Sequence, residues 1–245
     1  MASVIAVSNQ KGGVGKTTTV VNCAAFAALA GKRTLVIDND PQGNATSGLL
    51  SKGQHGNVYA ENSQPIPTAI SNLAIIPGGP DLLEAERMLS RRSHGQTVLR
   101  QRLSVWREQY DVIFIDCPPN LSLLPTNALV ASDKLLIPIN SEYFALEGLS
   151  QLLAFIDGLR QDLQIAVELA GVLLTMHDPA LPMAQQIEAE LRAHFGSKAL
   201  ASTIPRDVAL AAAPSHGQPI AVYDPLSRGA LAYLAATKEL LHGAY

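Results

Sequence analysis

Residues 10–17 have the composition and the setting of a phosphate-binding loop. They read Gln-Lys-Gly-Gly-Val-Gly-Lys-Thr and lie between a short β-branched run and a long helical pattern. Glycines let backbone N–H groups surround phosphate oxygens, and the amino terminus of the next helix adds positive potential. At this spacing Lys16 reaches the β and γ phosphates, and the Thr17 hydroxyl coordinates magnesium. The backbone cradle would comprise Gly12, Gly13, Val14 and Gly15. A glycine-rich turn that binds nothing is the alternative.

A second lysine, Lys11, lies in the same loop, and Gln10 stands where such loops usually carry their first glycine. Two cations on one short loop would crowd a single phosphate chain, so Lys11 can point away from its own nucleotide. In one interpretation it crosses into a neighbouring subunit and neutralises charge on the transferred phosphoryl group, as an arginine finger does in trans. In the other it is a solvated lysine.

Three aspartates, Asp38, Asp40 and Asp116, follow or end predicted strands, at the sheet edge where open α/β folds bind their ligands. Asp116 fits a magnesium site, as a direct ligand or through a coordinated water, because magnesium usually retains several waters. Asp38 and Asp40 are two positions apart, and such residues share one face of an extended strand. The alternative is that these acids only cap the helices that follow them.

Short β-branched runs alternate with longer helical patterns, which predicts a mostly parallel sheet covered by helices on both faces. The predicted strands are 4–7, 34–37, 73–76, 112–115, 135–139 and 172–174. The predicted helices are 17–30, 82–106, 121–131, 145–163, 183–194 and 226–241. Residues 51–72, rich in Gly, Ser, Gln, Asn and Pro, are interpreted as a surface excursion. We expect a single P-loop α/β domain over residues 1–245.

The composition suits one large core and gives no long-range attraction for polyanions. The chain has 245 residues, 47% hydrophobic side chains and a formal net charge of -3, so DNA or anionic lipid would need a local patch. Cys23 and Cys117 lie in apolar runs, which is typical of buried thiols in a reducing compartment. We find neither a signal peptide nor an apolar run of about 18 residues, so we expect a cytoplasmic protein without membrane contact.

The loop and several other segments resemble one family. Residues 11–17, Lys-Gly-Gly-Val-Gly-Lys-Thr, resemble the deviant Walker A motif of the ParA/MinD family. Residues 35–46, Leu-Val-Ile-Asp-Asn-Asp-Pro-Gln-Gly-Asn-Ala-Thr, are similar to the second motif of the ParA (Soj-like) chromosome and plasmid partition ATPases. Further matches lie at residues 115–119, 142–149, 204–206 and 213–217, so the resemblance covers nearly the whole chain.

The resemblance implies a magnesium-dependent ATPase that forms a homodimer when ATP is bound. The catalytic residues carried over are Lys11, which acts in trans, Lys16, and Asp40, which positions the attacking water. The residues carried over for the metal are Thr17, Asp38 and Asp116, and Thr18 would lie beside the α-phosphate. Residues 204–206 resemble the segment that borders adenine, which makes Pro205 and Arg206 cofactor-binding candidates. Asp207 follows where the family usually has Asn, and this leaves the adenine contact open.

By the same resemblance, the ATP-bound dimer binds DNA non-specifically, associates with the nucleoid and is stimulated by a short basic peptide of a ParB-like partner. The candidates for DNA contact are Arg228, Lys198 and Arg206. Residues 175–181 match a family segment but lack its arginine. Residues 142–149 lead either into a helix at the dimer face or into an ordinary connection. Six arginines between residues 87 and 107 form either a solvated face or a surface for DNA or a partner.

Two alternative functions are compatible with the same fold. A MinD-like membrane-associated positioning ATPase would end in an amphipathic basic helix, whereas residues 231–243 balance one lysine with one glutamate and resemble a packing helix. A metabolic enzyme is the other, such as a nitrogenase iron protein or dethiobiotin synthetase. The iron protein would need cluster cysteines, which Cys23 and Cys117 could supply only from two subunits. The sequence starts almost directly at the first strand, so we expect no amino-terminal helix-turn-helix domain.

Overall fold

The computed structural model describes residues 1–50, 53–142 and 145–242, with the backbone alone at 145–148 and 242. Eight strands form one sheet in the order β3-β4-β2-β5-β1-β6-β7-β8, in which only the β3–β4 pair is antiparallel. The strands are β1 Ser3–Val7, β2 Thr34–Asp38, β3 Ile66–Pro67, β4 Leu73–Ile76, β5 Val112–Asp116, β6 Lys134–Asn140, β7 Glu168–His177 and β8 Ala199–Pro205. The predicted, mostly parallel sheet is confirmed.

Helices cover both faces of this sheet. They are α1 Lys16–Leu29, α2 Asn44–Leu49, α3 Asp81–Ser90, α4 Val98–Leu103, α5 Leu123–Ala131, α6 Ala145–Leu163, α7 Pro182–Phe195, α8 Val208–Ala212, α9 Ile220–Tyr223 and α10 Arg228–His242. One buried apolar cluster joins the sheet to α4, α5, α6 and α7, and a second joins the other face to α1, α2 and α10. No helix in the described ranges combines the length and the apolar character that crossing a bilayer requires.

The single helix predicted over residues 82–106 is wrong. The chain instead forms α3, a short 3-10 turn at Gly95–Thr97, and α4. His94 between them has φ +140°, which no helix accommodates. The Asn127 side chain stabilises the break, because it donates to the Gly95 carbonyl at 2.9 Å and accepts from the Leu99 N–H at 3.1 Å. A packing partner from α5 therefore ends a run that looks continuous in sequence.

The excursion predicted over residues 51–72 is anchored more firmly than its composition indicates; residues 51 and 52 lie outside the described ranges. Val58 is completely buried, and the Tyr59 hydroxyl donates to Asn39 Oδ1 at 3.0 Å. Arg102 donates to the carbonyl oxygens of Ala60 and Glu61. The segment also contributes β3, the edge strand of the sheet.

The strand register places the chemistry-bearing residues at one edge. Asp116, the last residue of β5, lies opposite Val7 on β1 and opposite Asp38 on β2. The loop after β1 and the turn after β2 therefore leave the sheet at the same level. This is the carboxyl edge of the parallel strands, where ligands of open α/β sheets bind.

Candidate functional site

The loop of residues 8–15 folds as an anion cradle. Gly15 has φ +85°, a left-handed conformation that favours glycine, and α1 begins directly after it. Because this N-cap residue is a glycine, it has no side chain to cap the helix, and the first N–H groups of α1 are left for a ligand. Thr175 at the end of β7 supports the loop, because its hydroxyl lies 2.9 Å from the carbonyl oxygen of Val14.

Lys16 lies across the mouth of this cradle. Its ammonium donates to the Lys11 carbonyl at 2.9 Å, and the residue is 6% exposed. Burial lowers the pKa of Lys16, while the nearby carboxylates of Asp116 and Asp40 oppose that shift. A buried ammonium that is hydrogen-bonded to a loop carbonyl can exchange that contact for phosphate oxygens.

The Thr17 hydroxyl and the Asp116 carboxylate meet below the loop. Thr17 donates to Asp116 Oδ2 at 2.7 Å, and Asp116 Oδ1 is buried with no hydrogen-bond partner among the described residues. Burial, reinforced by the neighbouring Asp38, raises the pKa of Asp116 well above its usual value. A buried acceptor without a donor suits a site that a hydrated cation completes.

The Asp38 carboxylate accepts hydrogen bonds from Asp40 and Thr46. Its Oδ2 accepts from the Thr46 N–H at 2.8 Å and from the Thr46 hydroxyl at 2.6 Å. Its Oδ1 accepts from the Asp40 N–H at 3.2 Å. Burial raises the pKa of Asp38 to about 6. Since Thr46 is in the first turn of α2, Asp38 stabilises that helix end, as the capping alternative describes; its role at the metal stays a prediction.

Asp40 lies with Asp116 and Lys16 in one electrostatic cluster. It is 6% exposed, and its Oδ1 accepts from the Gln42 N–H at 2.9 Å. Its charge opposes the lowering of the Lys16 pKa and adds to the raising of the Asp116 pKa. Magnesium is often held by one or two carboxylates together with substrate phosphates. The described part of the chain brings together no group of three His, Cys, Asp or Glu side chains that could hold a metal.

Lys11 points away from the cradle, toward the end of β6. Its ammonium lies 2.8 Å from Glu142 Oε2 and 3.3 Å from Asn140 Oδ1. The hydrogen bond from Lys11 lowers the pKa of Glu142. Beside this contact, the side chains of Gln10 and Gln151 are hydrogen-bonded. Of the predicted dimer-face segment 142–149, residues 143 and 144 lie outside the described ranges, and α6 begins at Ala145.

A pocket of about 410 Å³ adjoins the cradle and has the size for a nucleobase. Thr18, Pro205 and Arg206 line it, and their contact with a nucleotide stays a prediction. Its other lining residues include Thr175, Met176, Ile204, Val208, Leu210 and Tyr233. At its inner end the hydroxyls of Thr19 and Tyr233 lie 3.2 Å apart, within hydrogen-bond distance. Because Thr18 in the first turn of α1 lines the pocket, the pocket is continuous with the phosphate loop.

Asp207, the departure from the family pattern, joins two walls of this pocket. Its Oδ1 accepts from the Ala209 N–H at 2.8 Å in α8, and its Oδ2 accepts from the Gly229 N–H at 2.8 Å in α10. The carboxylate thus satisfies the amino ends of two helices at once.

The three DNA-contact candidates do not form one cluster. Arg206 and Arg228 are exposed at the pocket, and an Arg228 guanidinium nitrogen lies 3.5 Å from the Arg206 carbonyl oxygen. Lys198 immediately precedes the first residue of β8, so it lies at the amino edge of the parallel strands, away from the cradle. A surface that includes Arg206 and Arg228 therefore excludes Lys198.

Sequence reasoning missed several contributors to the site. Asn140 ends β6 and Thr175 lies near the end of β7, both strands that the apolar pattern predicts, and their polar side chains at the carboxyl edge are the available signal. Tyr233 reads as an apolar position of a packing helix. Its contact with Thr19 spans 214 positions, and no local pattern reports a contact at that distance.

Known proteins resemble this chain over nearly all of its length. A family model described as an AAA domain matches residues 2–169. The chromosome partitioning protein ParA of Myxococcus xanthus is 45% identical over 247 residues, which cover 97% of this chain and 87% of that protein. The sporulation initiation inhibitor protein Soj of Bacillus subtilis is 45% identical over 249 residues, which cover 98% of each. A solved structure of cobyrinic acid a,c-diamide synthase from Mycobacterium smegmatis, with bound ADP and magnesium, has a TM-score of 0.84 at 30% identity, over 98% of this chain and 94% of that one.

Proposed function

Because this chain belongs to the ParA/Soj family of chromosome-partitioning ATPases, we propose that it is a nucleotide-switched dimer that couples ATP hydrolysis to DNA partition. Its cofactors are ATP and magnesium, and its partner is a ParB-like protein. The ATP-bound dimer binds DNA non-specifically, and hydrolysis dissolves it. The protein acts in the cytoplasm, on the nucleoid, and positions a chromosome or a plasmid.

The contact between Thr17 and Asp116 carries this proposal. One oxygen of the buried carboxylate accepts a hydrogen bond from the threonine hydroxyl at 2.7 Å, and the described part of the chain offers the other oxygen no donor. Leaving a buried acceptor unsatisfied costs about 1–3 kcal/mol. In natural proteins such an acceptor calls for an explanation, and a bound ligand or ion that satisfies it is one. The lysine and the uncapped helix end above this pair supply the complementary charge for a polyphosphate.

The residues of the cradle divide the work of binding. Lys16 would leave the Lys11 carbonyl for the β and γ phosphates, and the N–H groups of residues 12–17 would surround the phosphate oxygens. Thr17 and Asp116 would hold magnesium, which when bound neutralises charge on the phosphate oxygens. Asp40 would orient the attacking water, and Thr18 would lie beside the α-phosphate.

Lys11 would complete the site of a second subunit. Its ammonium lies outside its own cradle, on the carboxyl edge that a facing subunit would cover. It would neutralise charge on the transferred phosphoryl group, as an arginine finger does when supplied in trans. ATP between two such faces would then stabilise the dimer by mass action.

The packing of α10 favours DNA over a membrane as the target of the switch. Tyr233, Ala236 and Leu240 are buried against β8 and α1, so the described length of the helix uses its apolar face within the fold. A membrane-binding helix must leave that face free. The likeness to cobyrinic acid a,c-diamide synthase makes an amidating enzyme the remaining rival. Such an enzyme would consume ATP only with its acid substrate, so hydrolysis without one separates the two.

Calorimetry and sedimentation together test this proposal. Wild-type protein should bind ATP with magnesium, and Lys16→Ala should weaken that binding by about a hundredfold because a charge-assisted contact is lost. Lys11→Ala should keep nucleotide binding but lose dimerisation and DNA co-sedimentation. Unchanged ATP affinity in Lys16→Ala would refute the cradle assignment. DNA retention that is equal with ATP and ADP would refute the switch.

A further inference from the structure

Asn39 lies between the two aspartates of the turn after β2 and is completely buried. Its N–H donates to the Asp116 carbonyl oxygen at 3.0 Å, and its side-chain Nδ2 donates to the Leu124 carbonyl oxygen at 2.9 Å. The first contact holds the turn against the end of β5, and the second holds it against the first turn of α5. The backbone position of Asp38 and Asp40 therefore depends on Asn39.

The first turn of α5 gives this amide a fixed partner. Glu86 of α3 accepts, at Oε1, from the N–H groups of Leu123 and Leu124 at 3.0 and 3.3 Å. This carboxylate satisfies N–H groups that a helix leaves without partners at its amino end, and its negative charge suits that end. The Leu124 carbonyl oxygen is therefore held in place as an acceptor for Asn39.

The Tyr59 hydroxyl completes the hydrogen bonds of the Asn39 side chain. Because a carbonyl oxygen only accepts, the amide nitrogen must face Leu124, and the amide oxygen then faces Tyr59. The hydroxyl donates to this Oδ1 at 3.0 Å. Burial raises the pKa of Tyr59, so the hydroxyl keeps the proton that it donates. Without it, Oδ1 would lose the donor that the described residues give it, and a buried amide relieves such a loss by rotating.

Neighbouring residues of the excursion hold Tyr59 at this position. Val58 is buried in the apolar cluster on one face of the sheet. The Asn57 side chain accepts from the Tyr59 N–H at 2.9 Å. Arg102 of α4 donates to the carbonyl oxygens of residues 60–61. The excursion therefore brings one hydroxyl to the turn that carries the aspartates.

We propose that Tyr59 is a positioning residue for ATP hydrolysis, which acts through the Asn39 amide to hold the turn that carries Asp40 in place relative to Asp116. The inference rests on the proposed function, because it concerns the hydrolytic step of that ATPase. Lys16 and Thr17 lie outside this chain of hydrogen bonds. Loss of the hydroxyl therefore lowers turnover and spares nucleotide affinity.

Steady-state hydrolysis by the full chain tests this role. Tyr59→Phe should lower kcat by about fivefold to tenfold, while the KM and the calorimetric Kd for ATP with magnesium stay within about twofold of wild type. Tyr110→Phe is the matched control and should keep the wild-type kcat, because Tyr110 precedes β5 at the opposite edge of the sheet. Ile187→Val in the core should lower the Tm by a few degrees and leave kcat unchanged, which separates positioning from stability.

Hydrogen exchange of the nucleotide-free protein gives a readout that does not depend on hydrolysis. The N–H groups of Asn39, Asp40 and Thr46 are all hydrogen-bonded at this turn. The peptide that spans residues 38–46 should therefore exchange faster in Tyr59→Phe than in wild type, and at the wild-type rate in Tyr110→Phe.

A double-mutant cycle tests the route through Asn39. An Asn39→Leu background has no amide to orient, so adding Tyr59→Phe there should change kcat by less than about twofold, whatever turnover Asn39→Leu itself retains. Arg102→Gln loosens the excursion without removing the hydroxyl. It should lower kcat only when Asn39 is present, and this decides the question even if Tyr59→Phe folds poorly.

Three results would overturn the positioning role: a wild-type kcat in Tyr59→Phe, an equal loss of kcat in both backgrounds, or unchanged exchange of residues 38–46. Each of them leaves the proposed function intact. A wild type that hydrolyses no ATP would instead refute the proposed function and this inference together.

Discussion

The ammonium of Lys11 lies 2.8 Å from Glu142 Oε2 within one chain, although the family resemblance assigns this lysine to a second subunit. The lysine side chain is 29% exposed and the glutamate 52%, so the ion pair is accessible and weak. Under the proposed function, dimerisation would exchange it for contacts with the facing nucleotide. The pair therefore favours the separated subunits.

Glu142→Gln should shift the monomer–dimer equilibrium toward the dimer. Each of the two subunits gives up one exposed pair worth about 0.2–1 kcal/mol, so its loss corresponds to roughly a twofold to thirtyfold stronger association. Sedimentation velocity with ATP and magnesium measures the dissociation constant. Lys11→Ala, which also lacks the pair, should not dimerise, and this comparison separates release of the lysine from its removal. Weaker association of Glu142→Gln would contradict the interpretation.

Asp116→Asn should stabilise the nucleotide-free protein while abolishing hydrolysis. Burial and the adjacent Asp38 raise the pKa of Asp116, so the fold disfavours its charged form, and a neutral side chain of the same shape removes that cost. A gain of about 1 kcal/mol would raise the Tm by about 2–4 °C for a chain of this size. Scanning calorimetry and a phosphate-release assay measure the two effects. The exposed Asp162→Asn serves as the control, and a lower Tm for Asp116→Asn would be evidence against this account.

Asp207→Asn should loosen the base pocket. An amide has one acceptor oxygen, so one of the two N–H groups, Ala209 or Gly229, loses its partner. We expect a loss of about 1 kcal/mol in the free energy of unfolding, measured in urea. Asp178→Asn is the matched control, because Asp178 accepts a single N–H outside the pocket. Equal effects of the two substitutions would refute the double-cap role.

Arg228→Ala and Lys198→Ala should differ in their effect on DNA. Arg228 lies at the edge that carries the cradle, whereas Lys198 lies at the opposite edge. We expect Arg228→Ala to weaken ATP-dependent DNA binding and to reduce the slope of its salt dependence by about one, and Lys198→Ala to leave both unchanged. Fluorescence anisotropy over a salt series measures this slope. ATP binding must be measured alongside, because Arg228 also lines the base pocket.

The sequence predicts those parts of the molecule that depend on local patterns. The predicted strands and the phosphate loop are confirmed, because alternation of buried runs and a glycine-rich turn are short-range signals. The family, too, is confirmed. The single helix predicted over residues 82–106 is wrong because the sequence there contains only weak signals for a helix end, and the break depends on Asn127 of another helix. β8 was missed because its sequence, Ala-Leu-Ala-Ser-Thr-Ile-Pro, has few bulky side chains.

The candidate site divides in the same way. Lys16 and Thr17 follow from motif spacing, and Asp116 follows from its place at a strand end. The contacts of Lys11 with Asn140 and Glu142 span 129 and 131 positions, and only the folded sheet brings them together. The capping role of Asp207 likewise requires α10. Local chemistry is thus visible in the sequence, whereas the choice of partner for each polar group is not.

The hydrogen bond between Thr19 and Tyr233 joins residues 214 positions apart. The phosphate loop lies between the first strand and the first helix, whereas α8 and α10 supply the wall of the pocket that would face the base. Phosphate binding and base selectivity therefore depend on segments that are far apart in the chain.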